Sequence, residues 1–101
     1  MQENALNVRV GILALAGGCV EGVVLSRAMA LQNKAGEGNW WSCTLAEWCT
    51  SLNLGRRVLE RSRRRLRDLG VLEEQRKGLP ARLFYRIDLI EIERRLEEYS
   101  G

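Results

Sequence analysis

A chain of 101 residues has room for one hydrophobic core and one domain. Hydrophobic residues make up 46% and charged residues 29%, the balance of a folded globular protein and not of a disordered one. The net charge is +3, and with no histidine present, thiol–histidine catalysis is excluded.

The N-terminal residues 1–19 read as an arm or a short strand: Met1 to Asn7 is polar, and Ala5 to Val10 alternates loosely, which also admits a helix. The apolar stretch Val8–Val20 is interrupted by Arg9 and by glycines and alanines, and is too short to span a bilayer. With no charged segment before it and no cleavage pattern after it, it does not read as a signal peptide, so no membrane partner and a cytoplasmic location are expected. Gly17-Gly18 is a break.

From Val20 to Lys34 the pattern is helical, with Val23, Val24, Leu25, Ala28, Met29 and Leu31 forming a broad apolar face. Ala35 to Asn39 reads as a loop, and Trp40-Trp41-Ser42 as a small strand at a sheet edge, of whose two tryptophans one is buried. Thr44 with Glu47 makes a capping box for a helix carrying Leu45, Trp48, Cys49 and Leu52 at helical spacing. Ser51–Gly55 is a tight turn, and a second helix runs from Arg56 to Leu69, closed by Gly70. A strand at Val71–Gln75, a turn at Arg76–Ala81 and a strand at Arg82–Ile87 follow, the last with Leu83, Tyr85 and Ile87 on one side. Asp88 with Glu91 caps a final amphipathic helix over residues 88–99, lined by Leu89, Ile92, Leu96 and Tyr99. Cys19, Cys43 and Cys49 contain no C-x-x-C pair and no zinc spacing, so they read as free thiols, with no metal and no cofactor expected.

Charge is concentrated in one of these elements. Residues 1–54 carry three basic against four acidic side chains, net −1, and residues 55–101 thirteen against nine, net +4. Within Arg56–Arg67 stand seven arginines and one glutamate, net +6, the footprint of a surface that meets phosphates. At about 100° per residue, Val58, Leu59, Ser62, Leu66 and Leu69 fall on one docking side. Arg57, Glu60, Arg61 and Arg64 lie opposite, Arg56 and Arg67 lie nearby, and Arg63 and Arg65 stand at the boundaries. Glu60–Arg64 and Arg64–Asp68 are i,i+4 pairs, but they engage only Arg64 and leave a large excess of positive charge.

Helix, turn and basic helix followed by a two-stranded hairpin is the order of a winged helix-turn-helix. The fold class expected is α+β, mainly α, with a three-helix core, a two-stranded wing and an extra C-terminal helix, all in a single domain spanning residues 1–101 with its core at 20–87. In such a fold the second helix enters the major groove, its first turn deepest. Arg56, Arg57, Glu60 and Arg61 are therefore the base-contact candidates, and Gly55, Arg64, Arg65, Arg67, Arg76, Lys77 and Arg82 the phosphate-contact candidates. Arg63, at the edge of the core, is equally suited to an acid such as Glu47 or Glu73.

From Trp40 onward the chain resembles the winged-helix domains of phage and plasmid replication proteins and related bacterial regulators. The residues that carry the likeness are Trp40–Trp48, Leu54–Arg61, Arg65–Leu72 and Gly78–Ile87, with Val23–Ala28 resembling the first helix of those domains. The resemblance covers about residues 20–90. It implies binding of double-stranded DNA in replication initiation or transcription regulation. Gly55 stands where those domains usually have a serine or threonine cap, and Arg63 where they usually have an aliphatic core residue. No enzyme and no small-molecule substrate are expected, since no phosphate-binding glycine loop or paired-carboxylate site is present. A homodimer through the N-terminal arm or the last helix fits the pattern, though Leu96 and Tyr99 suit the chain's own core equally well. The competing readings are a winged-helix module that docks an acidic protein partner, and an RNA-binding domain.

Overall fold

The computed structural model describes residues 17–100. Its elements are α1 (Cys19–Ala35), β1 (Trp41–Ser42), α2 (Leu45–Leu52), α3 (Arg56–Asp68), β2 (Leu72–Lys77), β3 (Arg82–Ile87) and α4 (Leu89–Ser100). The arm or strand expected at residues 1–19 lies, up to residue 16, outside the described residues.

Local chemistry explains where these elements begin and end. Thr44 Oγ1 accepts the Glu47 amide at 3.1 Å, and Asp88 Oδ1 accepts the Glu91 amide at 3.1 Å, so each satisfies an orphan donor of the helix that follows. α2 stops where Asn53 turns left-handed at φ 53, which lets the Leu54 amide reach back to the Cys49 carbonyl at 3.2 Å. α3 stops at Gly70, φ +79, where the Gly70 amide donates to Arg67 and the Val71 amide to Leu66 in a Schellman closure. The tight turn of helix, turn and helix therefore rests on one αL asparagine.

The three strands form one antiparallel sheet in the order β1-β3-β2. Trp41 pairs with Tyr85, and β2 pairs with β3 from Leu72↔Ile87 to Lys77↔Arg82. Inward-facing Tyr85 and Ile87 are buried with Val24, Leu25, Ala28, Trp41, Trp48, Leu59, Leu66, Val71, Leu72 and Ile92. Trp41, Trp48 and Tyr85 form an aromatic triad, with ring centroids 5.2–5.9 Å apart and Trp48 meeting Tyr85 edge-on. Leu96 packs against this core from α4. Three helices, α1 to α3, and the β2–β3 hairpin with the short β1 added at its β3 edge make a winged helix-turn-helix, α+β and mainly helical, to which α4 is appended.

One buried polar side chain joins the layers. Gln32, fully buried near the end of α1, donates from Nε2 to the Gly36 and Asn39 carbonyls and accepts at Oε1 from Trp41 Nε1 and the Ile87 amide, each at 2.8 Å. Every hydrogen-bonding position of its amide is thereby used in a way that fixes the loop, β1 and the end of β3 against α1.

Several details differ from the sequence expectation. Val23 is 46% exposed: only Val24, Leu25 and Ala28 of the α1 hydrophobics are fully buried, so the stripe is narrower than the spacing suggested. Leu69 is 40% exposed because α3 ends at Asp68 and Leu69 belongs to the cap, not to the docking stripe. β1 begins at Trp41, and β2 runs two residues further than expected, to Lys77, because hairpin pairing continues to Arg82.

α4 is fastened to the end of α3 by an arginine. Arg95 donates to the Leu69 carbonyl at 3.0 Å and to Glu91 at 3.0 Å, and Glu91 also takes Arg94 at 2.7 Å. Hydrogen bonds from Arg94 and Arg95 hold the Glu91 carboxyl down to about 2 from its ordinary 4.5. With the folded value the lower of the two, this contribution to stability is complete above pH 4.5 and is lost as pH falls through about 2. Glu91→Gln is therefore expected to lower the urea midpoint at pH 7 and to converge with the parent as pH drops from 4.5 toward 2. A gap independent of pH would refute this assignment.

Candidate nucleic-acid interface

α3 owes its position to three buried residues, Leu59, Ser62 and Leu66, spaced three and four apart so that one stripe faces the core. The opposite side is arginine. Arg56, Arg57, Glu60, Arg61 and Arg64 are all exposed, and Arg57, Arg61 and Arg64 make no ion pair with any described residue. Glu60 pairs with Arg56 at 3.1 Å, not with Arg64 as the spacing equally allowed. That pair is well exposed, at 73% and 46%, so it is soft and easily exchanged.

Gly55 caps α3 with extended backbone and no side-chain hydrogen bond. Its φ of −72° suits any residue, and a Cβ there would meet nothing within 4 Å. Conformation therefore does not require the glycine. What it does is leave the first-turn amides uncovered, beside Arg56 and Arg57.

The remaining arginines of α3 are placed differently. Arg63, equally suited by sequence to an acid such as Glu47 or Glu73, donates to the Tyr85 hydroxyl and meets a different acid, lying 3.7 Å from Glu74. Its guanidinium sits 5.6 Å from the centre of the Tyr85 ring, and burial raises the Tyr85 hydroxyl above its ordinary range. Arg63 thus substitutes for an aliphatic core residue by stacking and hydrogen bonding. Arg65 pairs with Glu21 at 2.8 Å and Arg67 with Glu74 at 3.0 Å.

The wing tip is Gly78–Ala81, with Gly78 at φ +89 where a side chain would be strained, and with Leu79 wholly exposed. Arg76 and Lys77 close β2 and Arg82 opens β3; all three are exposed and stand at the base of the tip, not on it. On the outer sheet face Trp40 lies beneath two cations, Arg86 at 4.4 Å and Lys77 at 5.6 Å from its ring centre, and Arg86 also holds Glu73 at 2.7 Å. Trp40 is thus the half-exposed member of the tryptophan pair and Trp41 the buried one.

α3 and the wing border a common open cleft of about 960 Å³, lined by Glu60 and Arg63 from α3, Lys77 to Arg82 from the wing, and Thr44 and Glu47 at the start of α2. Cys43 also lines it; burial, with help from the Glu47 carboxylate, pushes its thiol up to about 11, so it is a neutral, unreactive thiol near pH 7. No local pattern in the sequence marks this cleft, because its walls come from three segments far apart in the chain, around Thr44, Glu60 and the wing.

Two solved structures show the same fold. A protein described as a possible transcriptional regulator from Methanosarcina mazei aligns over 90% of this chain and 74% of its own, at 17% identity and a TM-score of 0.65. The N-terminal domain of a DNA binding protein aligns over 81% of this chain and 70% of its own, at 17% identity and a TM-score of 0.51. No protein-family model and no curated protein sequence matches the chain.

Proposed function

We propose that this chain binds double-stranded DNA, with α3 in the major groove and the wing against the neighbouring backbone, and that it regulates transcription or replication initiation in a bacterium, phage or plasmid. The observation that carries the reading is the exposed arginine face of α3, where Arg57, Arg61 and Arg64 make no ion pair with any described residue, beside a cleft whose far wall is the wing with Lys77 and Arg82. Arg56, Arg57, Glu60 and Arg61, at the exposed start of α3, are the residues assigned to base edges. Arg64, Arg76, Lys77 and Arg82 are assigned to phosphates, with the uncovered amides after Gly55. The likeness to a DNA binding protein and to a possible transcriptional regulator supports the same reading.

Fluorescence anisotropy with unrelated duplexes between 50 and 200 mM salt tests it. Four phosphates neutralised by Arg64, Arg76, Lys77 and Arg82 give a log–log slope of about −3.6 or steeper. Absence of duplex binding at low salt would overturn the proposal and favour an acidic protein partner, and preferential capture of duplex RNA in competition would move it to RNA.

A further inference from the structure

The seven arginines of α3 differ in what already holds them, and two, Arg65 and Arg67, are hydrogen-bonded to buried carboxylates from other elements. Glu21 reaches from α1 with a side chain only 7% exposed, and its Oε1 lies 2.8 Å from Arg65. Glu74 reaches from β2 with a side chain 9% exposed; its Oε2 lies 3.0 Å from Arg67, while its Oε1 has no hydrogen-bond partner and stands 3.7 Å from Arg63 Nε. A carboxylate out of water is tolerated only while its cation stays in place. If Arg67 swung toward a phosphate, Glu74 would keep only the longer Arg63 contact, and if Arg65 did so, Glu21 would lose its ion pair. The Arg56–Glu60 pair is the contrast: both partners are solvated, so Arg56 leaves at little cost.

We propose that Glu21 and Glu74 are internal counter-ions that withhold Arg65 and Arg67 from the DNA backbone and so set the sequence selectivity of α3. This rests on the DNA-binding reading. Contacts to phosphate strengthen binding to every sequence alike, whereas contacts to base edges separate one sequence from another. Tying the rear arginines inward leaves the front of the helix, around Arg57 and Arg61, as a larger share of the interface. The same two pairs hold α3 against α1 and β2, so they also fix the angle at which that front is presented.

The test compares salt slopes on unrelated duplex DNA for single variants of one helix, with thermal melting of each to confirm folding. Arg64→Ala is expected to make the slope shallower by about 0.9, the loss of one phosphate. Arg65→Ala and Arg67→Ala are expected to leave the slope unchanged. Glu74→Gln frees Arg67 and is expected to steepen the slope by about 0.9, or about threefold in relative affinity between 50 and 200 mM salt, and Arg67→Ala added to it removes that gain. If Arg65→Ala and Arg67→Ala each reduce the slope as Arg64→Ala does, the withholding is refuted while DNA binding stands. If the parent binds no duplex, both fall. Should Glu74→Gln fail to fold, the comparison of Arg67→Ala with Arg64→Ala still decides.

Discussion

An Arg57→Ala, Arg61→Ala double variant is expected to lose its preference for one duplex sequence while keeping most of its affinity for unrelated ones. Both residues stand on the first turns of α3, exposed and free of any described ion pair, so their guanidinium forks are available to guanine edges. Each bidentate base contact discriminates by about 1–3 kcal/mol. The pair together therefore accounts for a preference of roughly 30-fold or more. An Arg76→Ala, Lys77→Ala variant should behave in the opposite way, weakening all duplexes and making the salt slope shallower by about 1.8. Random-duplex selection followed by anisotropy separates the two patterns. Equal loss of affinity and of preference in both variants would show that helix and wing do not divide the work.

The second large effect concerns the fold that holds that helix. Gln32→Leu is expected to destabilise the domain by about 4 kcal/mol, a large share of the roughly 5–15 kcal/mol of an ordinary domain. The leucine fills similar volume, so the cost is polar. Trp41 Nε1 and the Ile87 amide lose their acceptor, and the Gly36 and Asn39 carbonyls lose their donor. Each buried group left unsatisfied costs about 1–3 kcal/mol, reduced where water reaches it. Urea denaturation measures the difference, and a loss below about 1 kcal/mol would mean that Gln32 fills space and little more.

Much of this architecture was legible because it rests on short-range rules. Thr44, Asp88, Gly70 and the alternation at Leu83, Tyr85 and Ile87 act within a few residues of themselves, and their placement follows from capping and pleat periodicity. The arginine face of α3 was legible for the same reason, as a periodicity in one helix. What the sequence could not show are partners chosen across long separations. Gln32 reads as one polar residue in a helix, yet its Ile87 partner is 55 positions away. Arg63 and Arg67 meet Glu74 only because β2 folds back along α3, and Glu73, one position earlier, points to the other face of the sheet and takes Arg86. A choice between adjacent glutamates depends on strand register, which the sequence does not number.

The strand order β1-β3-β2 also bears on how the chain is made. Among the described strands β1 and β2 pair only with β3, which lies between them and is the last of the three to be synthesised. Until Ile87 has emerged from the ribosome, neither strand has its partner, Trp41 and Trp48 lack the Tyr85 ring, and the Gln32 amide lacks the Ile87 N–H. The helices can form early, since their contacts are local, but they have no completed surface to settle on. Maturation of the basic face is thus tied to the arrival of the final strand, and a nascent chain cut short before Arg82 would display the arginines of α3 without the framework that aims them.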